Sequence, residues 1–481
     1  MHNPAIGQTP NGLPRSLDPW LCHRDQTGFL PEPEGARPGA LAQHDRSAAL
    51  TTSTRLESLR RLLAHARERL DLDLGFVLWD GSTVPAGLAA NALAIRLADE
   101  GVIAALLRRP NIDTLANLWV SARIDIIGGT IFDLVARRPK IRSRALLKSL
   151  DKGKLLGTLA RFLRVPRGGP WPLEGIRGDK ALADGSEDAN RTNVSYHYDA
   201  SNAFYALFLD SSMVYTCGYF TAWDNSLAQA QHDKLDMICR KLRLQPEETF
   251  LDIGCGWGAL VCHAAQHYGV RARGVTLSRE QYAYANERIA RAGLADRVTL
   301  ELRDYALVEG SFDKISSIGM FEQVGLANHA TYFRTVNRLL NLGGLYLHHS
   351  IARPAKRDDR RFKRRPKEYA ALVRYIFPGG ELDHVGMSIA NLQRHGFEVH
   401  DMKAWREHYA RTCRHWHDRL LERYDEACTE VGSVKVRLWL AYLAGCSLAF
   451  ERNTVGIYQT LASKRVRGPS GLPPTRADLY R

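Results

Sequence analysis

The segment Leu251-Asp-Ile-Gly-Cys-Gly-Trp-Gly258 constrains this chain more than any other stretch, because an apolar strand runs straight into three glycines and then into the helix-forming Ala259-Leu-Val-Cys-His-Ala-Ala-Gln266. A strand, a glycine turn and a helix in that order open a βα unit whose backbone comes close to something bulky. Gly254 and Gly256 suit such a turn, since they adopt conformations that other residues avoid and carry no side chain to block a ligand. The alternation continues downstream. Strands are expected at 250–253, 271–275, 298–302, 314–318, 345–350 and 397–402, with helices between the first three and another at about 332–340. This pattern predicts an α/β, Rossmann-like fold with a mainly parallel sheet.

Two details select the ligand of the glycine turn. Asp252 lies inside the strand, two residues before the first glycine, and the pattern is GxGxG followed by Ala rather than GxGxxG. Both favour S-adenosylmethionine over a nicotinamide dinucleotide; a tight turn without a ligand is the plain alternative. The second strand ends in Gly274-Val-Thr-Leu-Ser278, with no acid for ribose hydroxyls, so Thr276 and Gln281 are expected to bond the ligand instead. For Ser278 an N-cap role serves equally well. After the third strand comes Arg303-Asp-Tyr305, where Asp304 could accept from the adenine amine and Tyr305 could stack on the ring. The alternative for that pair is a surface turn.

A chain of 481 residues is long enough for two or three domains. Residues 1–50 are rich in Pro, Gly, Ala and isolated charges and read as a disordered tail. A small α+β domain follows at 51–138, with helical spacing in 56–70 and strand-like Gly75-Phe-Val-Leu-Trp-Asp-Gly81 and Arg123-Ile-Asp-Ile-Ile-Gly-Gly129. Residues 139–190 form a basic amphipathic linker, and 191–481 the catalytic domain. The eight cysteines show no CxxC pair, disulfide framework or metal spacing, which fits a reducing cytoplasm and predicts no metal site. No apolar run of roughly 20 residues is evident, so a membrane would be met from the side.

The net charge of +14 favours a polyanionic partner. Between Arg137 and Arg167 stand eleven Lys or Arg against one acid, Asp151, interleaved with Ile141, Leu146, Leu147, Leu150, Leu155, Leu156, Leu159, Phe162 and Leu163. Such a segment either packs its apolar stripe on a neighbouring domain or lies on anionic lipid with its basic side chains toward the headgroups. A second basic stretch, 353–374, has ten Lys or Arg against three acids. It is a solvated loop by default and a headgroup-binding candidate. The basic runs lack the interleaved aromatics of single-strand binders, so no nucleic acid is expected as partner.

The chain resembles the cyclopropane-fatty-acyl-phospholipid synthases and the related mycolic acid cyclopropane synthases. The resemblance rests on Ser195-Tyr-His-Tyr-Asp-Ala-Ser-Asn202, Met213-Val-Tyr-Thr-Cys-Gly-Tyr-Phe220, the glycine segment 251–258, Gly274-Val-Thr-Leu-Ser278, Gly319-Met-Phe-Glu-Gln-Val-Gly325 and Leu347-His-His-Ser-Ile351, in family order. It covers about 190–465 well and the N-terminal domain, similar to a small lipid-associated domain, more loosely. It implies a class I S-adenosylmethionine-dependent methyltransferase, with a mainly parallel seven-stranded sheet, that transfers a methylene to a cis double bond of a phospholipid acyl chain. The cofactor would then meet Tyr215, Thr216, Asp252, Gly254, Cys255, Gly256, Trp257, Gly258, Thr276, Leu277, Gln281, Asp304 and Tyr305. Bicarbonate, the family's base, would be held by Cys217, Glu322, His349 and Tyr409 with backbone help near Ile351. The resemblance also carries over Cys446, although a cysteine inside an apolar helix is usually a small buried hydrophobe rather than a nucleophile. The chain departs from several relatives at Gln323, where they have His beside the glutamate.

The implied partner is unsaturated phospholipid at an anionic membrane surface, met peripherally from the cytoplasmic face; a homodimer is compatible with the sequence. Alternatives stay open: methylation of an unsaturated acyl chain without ring closure, methylation of a small-molecule amine, or a lipid-binding protein without catalysis.

Overall fold

The computed structural model describes residues 41–137, 151–174, 201–358, 361–362, 375–376 and 380–480. Helix α1 spans Leu41–Leu70, so helical structure begins about ten residues inside the segment expected to be a disordered tail. The rest of that tail, both ends of the basic linker (139–150 and 175–190), the start of the Ser195 motif and most of the 353–374 stretch lie outside the described residues. The chain divides into units of residues 1–56 and 57–481, and the features below belong to the second.

The small N-terminal module is α+β as expected. Strands β1 (Gly75–Val77), β2 (Thr83–Val84), β3 (Ala94–Leu97) and β4 (Ile124–Ile127) form a sheet in the order β2-β1-β3-β4. Helices α2 (Gly101–Arg108), α3 (Ile112–Val120) and α4 (Ile131–Ala136) complete it. Local chemistry sets the helix starts: Asn111 accepts from Thr114 N at α3, and Thr130 with Asp133 forms a reciprocal capping box at α4.

The catalytic domain is built on a seven-stranded sheet in the order β10-β11-β9-β8-β5-β6-β7. Its strands are β5 (Thr249–Ile253), β6 (Arg271–Thr276), β7 (Val298–Leu302), β8 (Phe312–Ile318), β9 (Leu340–Ala352), β10 (Phe397–Ala404) and β11 (Gly456–Lys464). All pairings are parallel except those of β11, which runs antiparallel to both β9 and β10. The six expected strands are present. Strand β11 was not expected from the sequence.

Helix α5 (Lys152–Ala160) precedes this domain, and α6 (Asn202–Phe208) and α7 (Leu227–Leu242) lead into β5. The connections between strands carry α8 (Ala259–Tyr268), α9 (Arg279–Arg291), α10 (His329–Leu339) and α11 (Val385–Arg394). Helices α12 (Arg406–Glu422), α13 (Tyr424–Val431) and α14 (Ser433–Glu451) stand between β10 and β11.

Helix α14 corrects the expectation that no apolar run approaches a membrane span, for its length and composition would suffice to cross one. Packing accounts for its character: it lies along α12 and meets α3 and α4, burying Val436, Trp439, Leu440, Leu443 and Phe450. Its Arg437 lies over the Trp119 ring, donates to Trp119 O at 2.7 Å and pairs with Asp125 at 3.0 Å. Trp119 returns a bond to Arg437 O at 2.8 Å. These contacts join the N-terminal module to the helices around the site.

The basic linker resolves into two behaviours. Phe162 and Val165 are buried, and Arg108 pins the segment through Leu163 O and Val165 O. Leu156 and Leu163, by contrast, are 68% and 60% exposed. The expected single apolar stripe is therefore split, partly because the helix stops at Ala160 and leaves Phe162 and Leu163 in a turn.

Candidate active site

Strand β5 delivers Asp252 and Ile253 into a turn whose Gly254, Gly256 and Gly258 have φ of 80°, 55° and 78°. At Gly254 a Cβ would lie 2.9 Å from the Met320 side chain, whereas at Gly256 it would project into open space. The N–H groups of Gly254 and Cys255 both bond Val275 O, which ties the turn to β6. Gly258 begins α8 with no side-chain cap.

A cavity runs over the C-terminal ends of β7, β6, β5 and β8, the place where open α/β sheets take ligands. At one end stand Arg303, Asp304 and Tyr305; next come Thr276, Leu277 and Gln281; then Asp252 to Trp257; then Gly319, Met320 and Gln323. Tyr215 and Thr216 close it with Lys234 from α7. Every residue expected at the cofactor lines this cavity except Gly258, whose place is the helix start. Its buried Asp304 caps the turn Tyr305–Leu307 through Ala306 N, so it is not merely a surface residue.

Thr276 Oγ1 donates to Gln281 Oε1 at 2.9 Å and accepts from Ser278 N, which leaves the Gln281 amide hydrogens for a ligand. Ser278 does N-cap α9, accepting from Gln281 N at 3.3 Å. Asp252 accepts from Ser316 Oγ at 2.6 Å. Burial raises its pKa to about 6, against the pull of that hydroxyl and of Lys234.

The second half of the site adjoins this cavity. Glu322 lies in the turn Phe321–Gln323 after β8 and accepts from Ile351 N at 2.5 Å. Ile351, expected to help hold an anion, is thus bonded to the glutamate itself. Burial pushes the Glu322 carboxyl up to about 7, with the Ile351 bond opposing.

On β9, His349 is fully buried, and Gln459 Nε2 of β11 donates to its Nδ1 at 3.1 Å. With the amide so oriented the ring proton sits on Nε2, a buried atom without a hydrogen-bond partner among the described residues. Burial holds this imidazole well below its ordinary pKa, so it is neutral.

Cys217 is buried, its Sγ 3.3 Å from Gly218 O, and burial raises its thiol pKa. Tyr409 stands on the first turn of α12 in the same apolar cluster as Cys217 and Cys446, and burial, with Glu322 nearby, pushes its phenol up. The five residues expected at the chemistry thus come from the turn after β8, from β9, α12 and α14 and from the loop before α7, with Trp405 standing between Cys217 and His349. Cys446 is poorly suited to attack, since burial pushes its thiol up to about 12.

An aromatic cluster that the sequence pattern did not reveal surrounds this place. The Tyr215 ring, in the cavity wall, lies 5.0 Å from Trp416 and 5.4 Å from Tyr205, and its hydroxyl is 3.3 Å from that of Tyr442. Tyr409 packs on Phe450 at 4.7 Å, and Trp405 meets His349 edge-on at 5.0 Å. Sequence reading also missed Lys234 and Gln459, because a lysine in a polar helix and a glutamine in an unrecognised strand give no local signal.

A glycine cradle that excludes side chains, an adenine-end acceptor, free amide donors and a buried pair of opposite charge fit S-adenosylmethionine. Fold and site together define a class I S-adenosylmethionine-dependent methyltransferase. The chain belongs to the mycolic acid cyclopropane synthetase family, whose model matches residues 186–460.

Among relatives, a Pseudomonas putida protein named a probable fatty acid methyltransferase is 37% identical over 423 residues, covering 87% of this chain and 99% of its own. The cyclopropane-fatty-acyl-phospholipid synthase of Escherichia coli K12 is 37% identical over 270 residues, 56% of this chain and 67% of its own. Among solved structures, the cyclopropane synthase MmaA2 from Mycobacterium tuberculosis superposes with a TM-score of 0.54 at 31% identity, over 57% of this chain and 98% of that one. The mycolic acid cyclopropane synthase CmaA1, complexed with SAH and CTAB, gives the same four values.

Proposed function

We propose that this methyltransferase acts on a cis double bond of a phospholipid acyl chain and closes a cyclopropane ring. The observation that carries the proposal is the proton-handling pair of Glu322 and His349 set beside the cofactor cavity and walled by aromatic rings. Bound in the cavity, S-adenosylmethionine would supply an electrophilic methyl group, whose carbon would bond to the alkene as its bond to sulfur breaks and S-adenosylhomocysteine is released. The positive charge then left on the acyl chain is stabilised by electron-rich rings such as Tyr215 and Trp416. Ring closure requires loss of a proton from the new methyl group. Glu322, poised near neutrality, accepts and passes on that proton, while neutral His349 presents an N–H to orient an anion.

A small oxyanion such as bicarbonate fits the donors of His349 and Tyr409, with Cys217 beside them, and would supply a base where the proton leaves. From that anion the proton would pass on to the ionised Glu322 carboxylate. The acyl chain reaches this site from a membrane. The exposed Leu156 and Leu163, flanked by exposed Lys152, Lys154, Arg161 and Arg164, support peripheral docking on anionic lipid from the cytoplasmic side.

A second reading, methylation of the acyl chain without ring closure, draws on the fatty acid methyltransferase name of the Pseudomonas relative, whose likeness covers 87% of this chain.

The test is mass spectrometry of acyl chains from unsaturated phospholipid vesicles incubated with the protein and methyl-labelled S-adenosylmethionine, with Glu322→Gln as control. A labelled gain of one CH2, loss of the alkene and dependence on Glu322 is the expected result. A labelled acyl chain that keeps its unsaturation would replace it with the second reading. Absence of label in lipid would overturn both.

A further inference from the structure

Lys234 sits on α7 with 2% of its surface exposed, yet it lines the cofactor cavity. Its Nζ donates to Thr216 Oγ1 at 2.8 Å. An ammonium has three donors, and among the described residues this neutral hydroxyl is its hydrogen-bond acceptor, so two N–H groups are left for something else. Burial lowers the Lys234 pKa to about 8, while Asp210, Cys217 and Asp252 oppose the fall. It is therefore a cation at neutral pH. A charge held out of water without full pairing is costly, and an anion arriving in the cavity would remove that cost.

The sheet order says which part of the cofactor arrives there. Asp304 and Tyr305 follow β7, and Thr276 and Gln281 follow β6, so the adenosine half lies over those two strands. Continuing along the order β7-β6-β5-β8, the amino-acid tail lies over β5 and β8. That end is walled by Asp252, Gly319, Thr216 and Lys234. One buried cation and one buried carboxyl at the same end match the two charges of an α-amino acid.

We infer that Lys234 recognises the carboxylate of the cofactor's amino-acid tail, with Thr216 holding the ammonium in place. The inference does not depend on which acceptor is methylated. It makes the carboxylate a specificity element, so that the adenosine moiety alone is a poor competitor for the site.

Isothermal titration of the full chain tests this with S-adenosylmethionine, its decarboxylated analogue, which lacks only the carboxylate, and 5′-methylthioadenosine. The wild type should prefer S-adenosylmethionine over the decarboxylated form by about 10- to 100-fold. In Lys234→Met that preference should collapse to about twofold, while affinity for 5′-methylthioadenosine stays within about twofold of wild type. The unchanged third ligand reports that the site is still folded. Lys234→Arg keeps the charge and should retain a clear preference for the carboxylate, which gives a second reading if the Met variant does not fold. Equal weakening of all three ligands, an undiminished preference in Lys234→Met, or a wild type that binds the first two alike would overturn the assignment.

Discussion

Exchange of Glu322 for Gln should stabilise the folded chain above neutral pH while removing the carboxylate proposed to accept a proton. Burial places the carboxyl at about 7 against an ordinary 4.5. Between those values the folded protein keeps a proton that the unfolded chain has released, so stability falls as pH rises through the interval. The full cost is carried above pH 7. At about 1.4 kcal/mol for each pH unit it amounts to about 3 kcal/mol. Gln keeps an oxygen for Ile351 N–H and fills nearly the same volume, so the bond and the packing survive. Asp383, which burial and Glu322 push up to about 7, titrates over the same range in both proteins and largely cancels in the comparison. Urea unfolding of wild type and variant at pH 4.5 and pH 8 measures the effect. The stability difference in favour of Gln should grow by about 3 kcal/mol between the two conditions. Wild-type turnover should meanwhile rise as pH passes through about 7, and the variant should lack that rise. A stability difference of the same size at both pH values would refute a buried, nearly neutral Glu322.

Other substitutions probe different parts of the site. Gly254→Ala places a Cβ 2.9 Å from Met320 at a φ of 80°, so affinity for S-adenosylhomocysteine should drop at least about tenfold with the far-ultraviolet circular dichroism unchanged. Cys446→Ala should keep turnover within about threefold of wild type, because a thiol at about 12 is no nucleophile; loss of activity with the fold intact would restore a chemical role for it. Arg437→Ala removes the ties to Trp119 and Asp125, and limited proteolysis should then cut between the N-terminal module and the catalytic domain faster than in wild type. Charge reversal of Lys152, Lys154, Arg161 and Arg164 together should weaken binding to anionic vesicles in a co-sedimentation assay while leaving cofactor affinity unchanged.

How much was legible in the sequence follows from how local each signal is. Strands β5 to β8 are short apolar runs with turn residues on either side, and they could be bounded to within two residues. The glycine turn carries its own conformational demand, which is why the residues named around it do line the cavity, whereas others in its wall, such as Met213, Lys234 and Met320, were not named as part of it. Strand β11 failed to show because it is buried among neighbours on both sides. Its Gln459, Thr460 and Ser463 are enclosed polar residues, so neither alternation nor a purely apolar run marks it. Helix α12 was hidden for a related reason: Arg406–Glu422 is heavily charged, and its buried Thr412, Trp416 and His417 do not form an obvious apolar face. Tyr409 was placed by resemblance alone. Lys234 sits among polar neighbours on a helix that reads as half solvated, and tertiary burial, which gives it its character, leaves no trace in local pattern.

Strand β11 also sets a schedule. It comes after every other strand along the chain, yet it occupies an interior position in the sheet between β9 and β10. On the ribosome, the residues of β5, β6 and β7 emerge long before Gln459 can reach His349. A nascent polypeptide can thus complete its nucleoside-binding half while His349, on the other half of the sheet, still lacks its partner. Catalytic competence arrives last, as a property of the finished sheet, and a chain stalled before residue 456 would have a place for the cofactor without the means to use it.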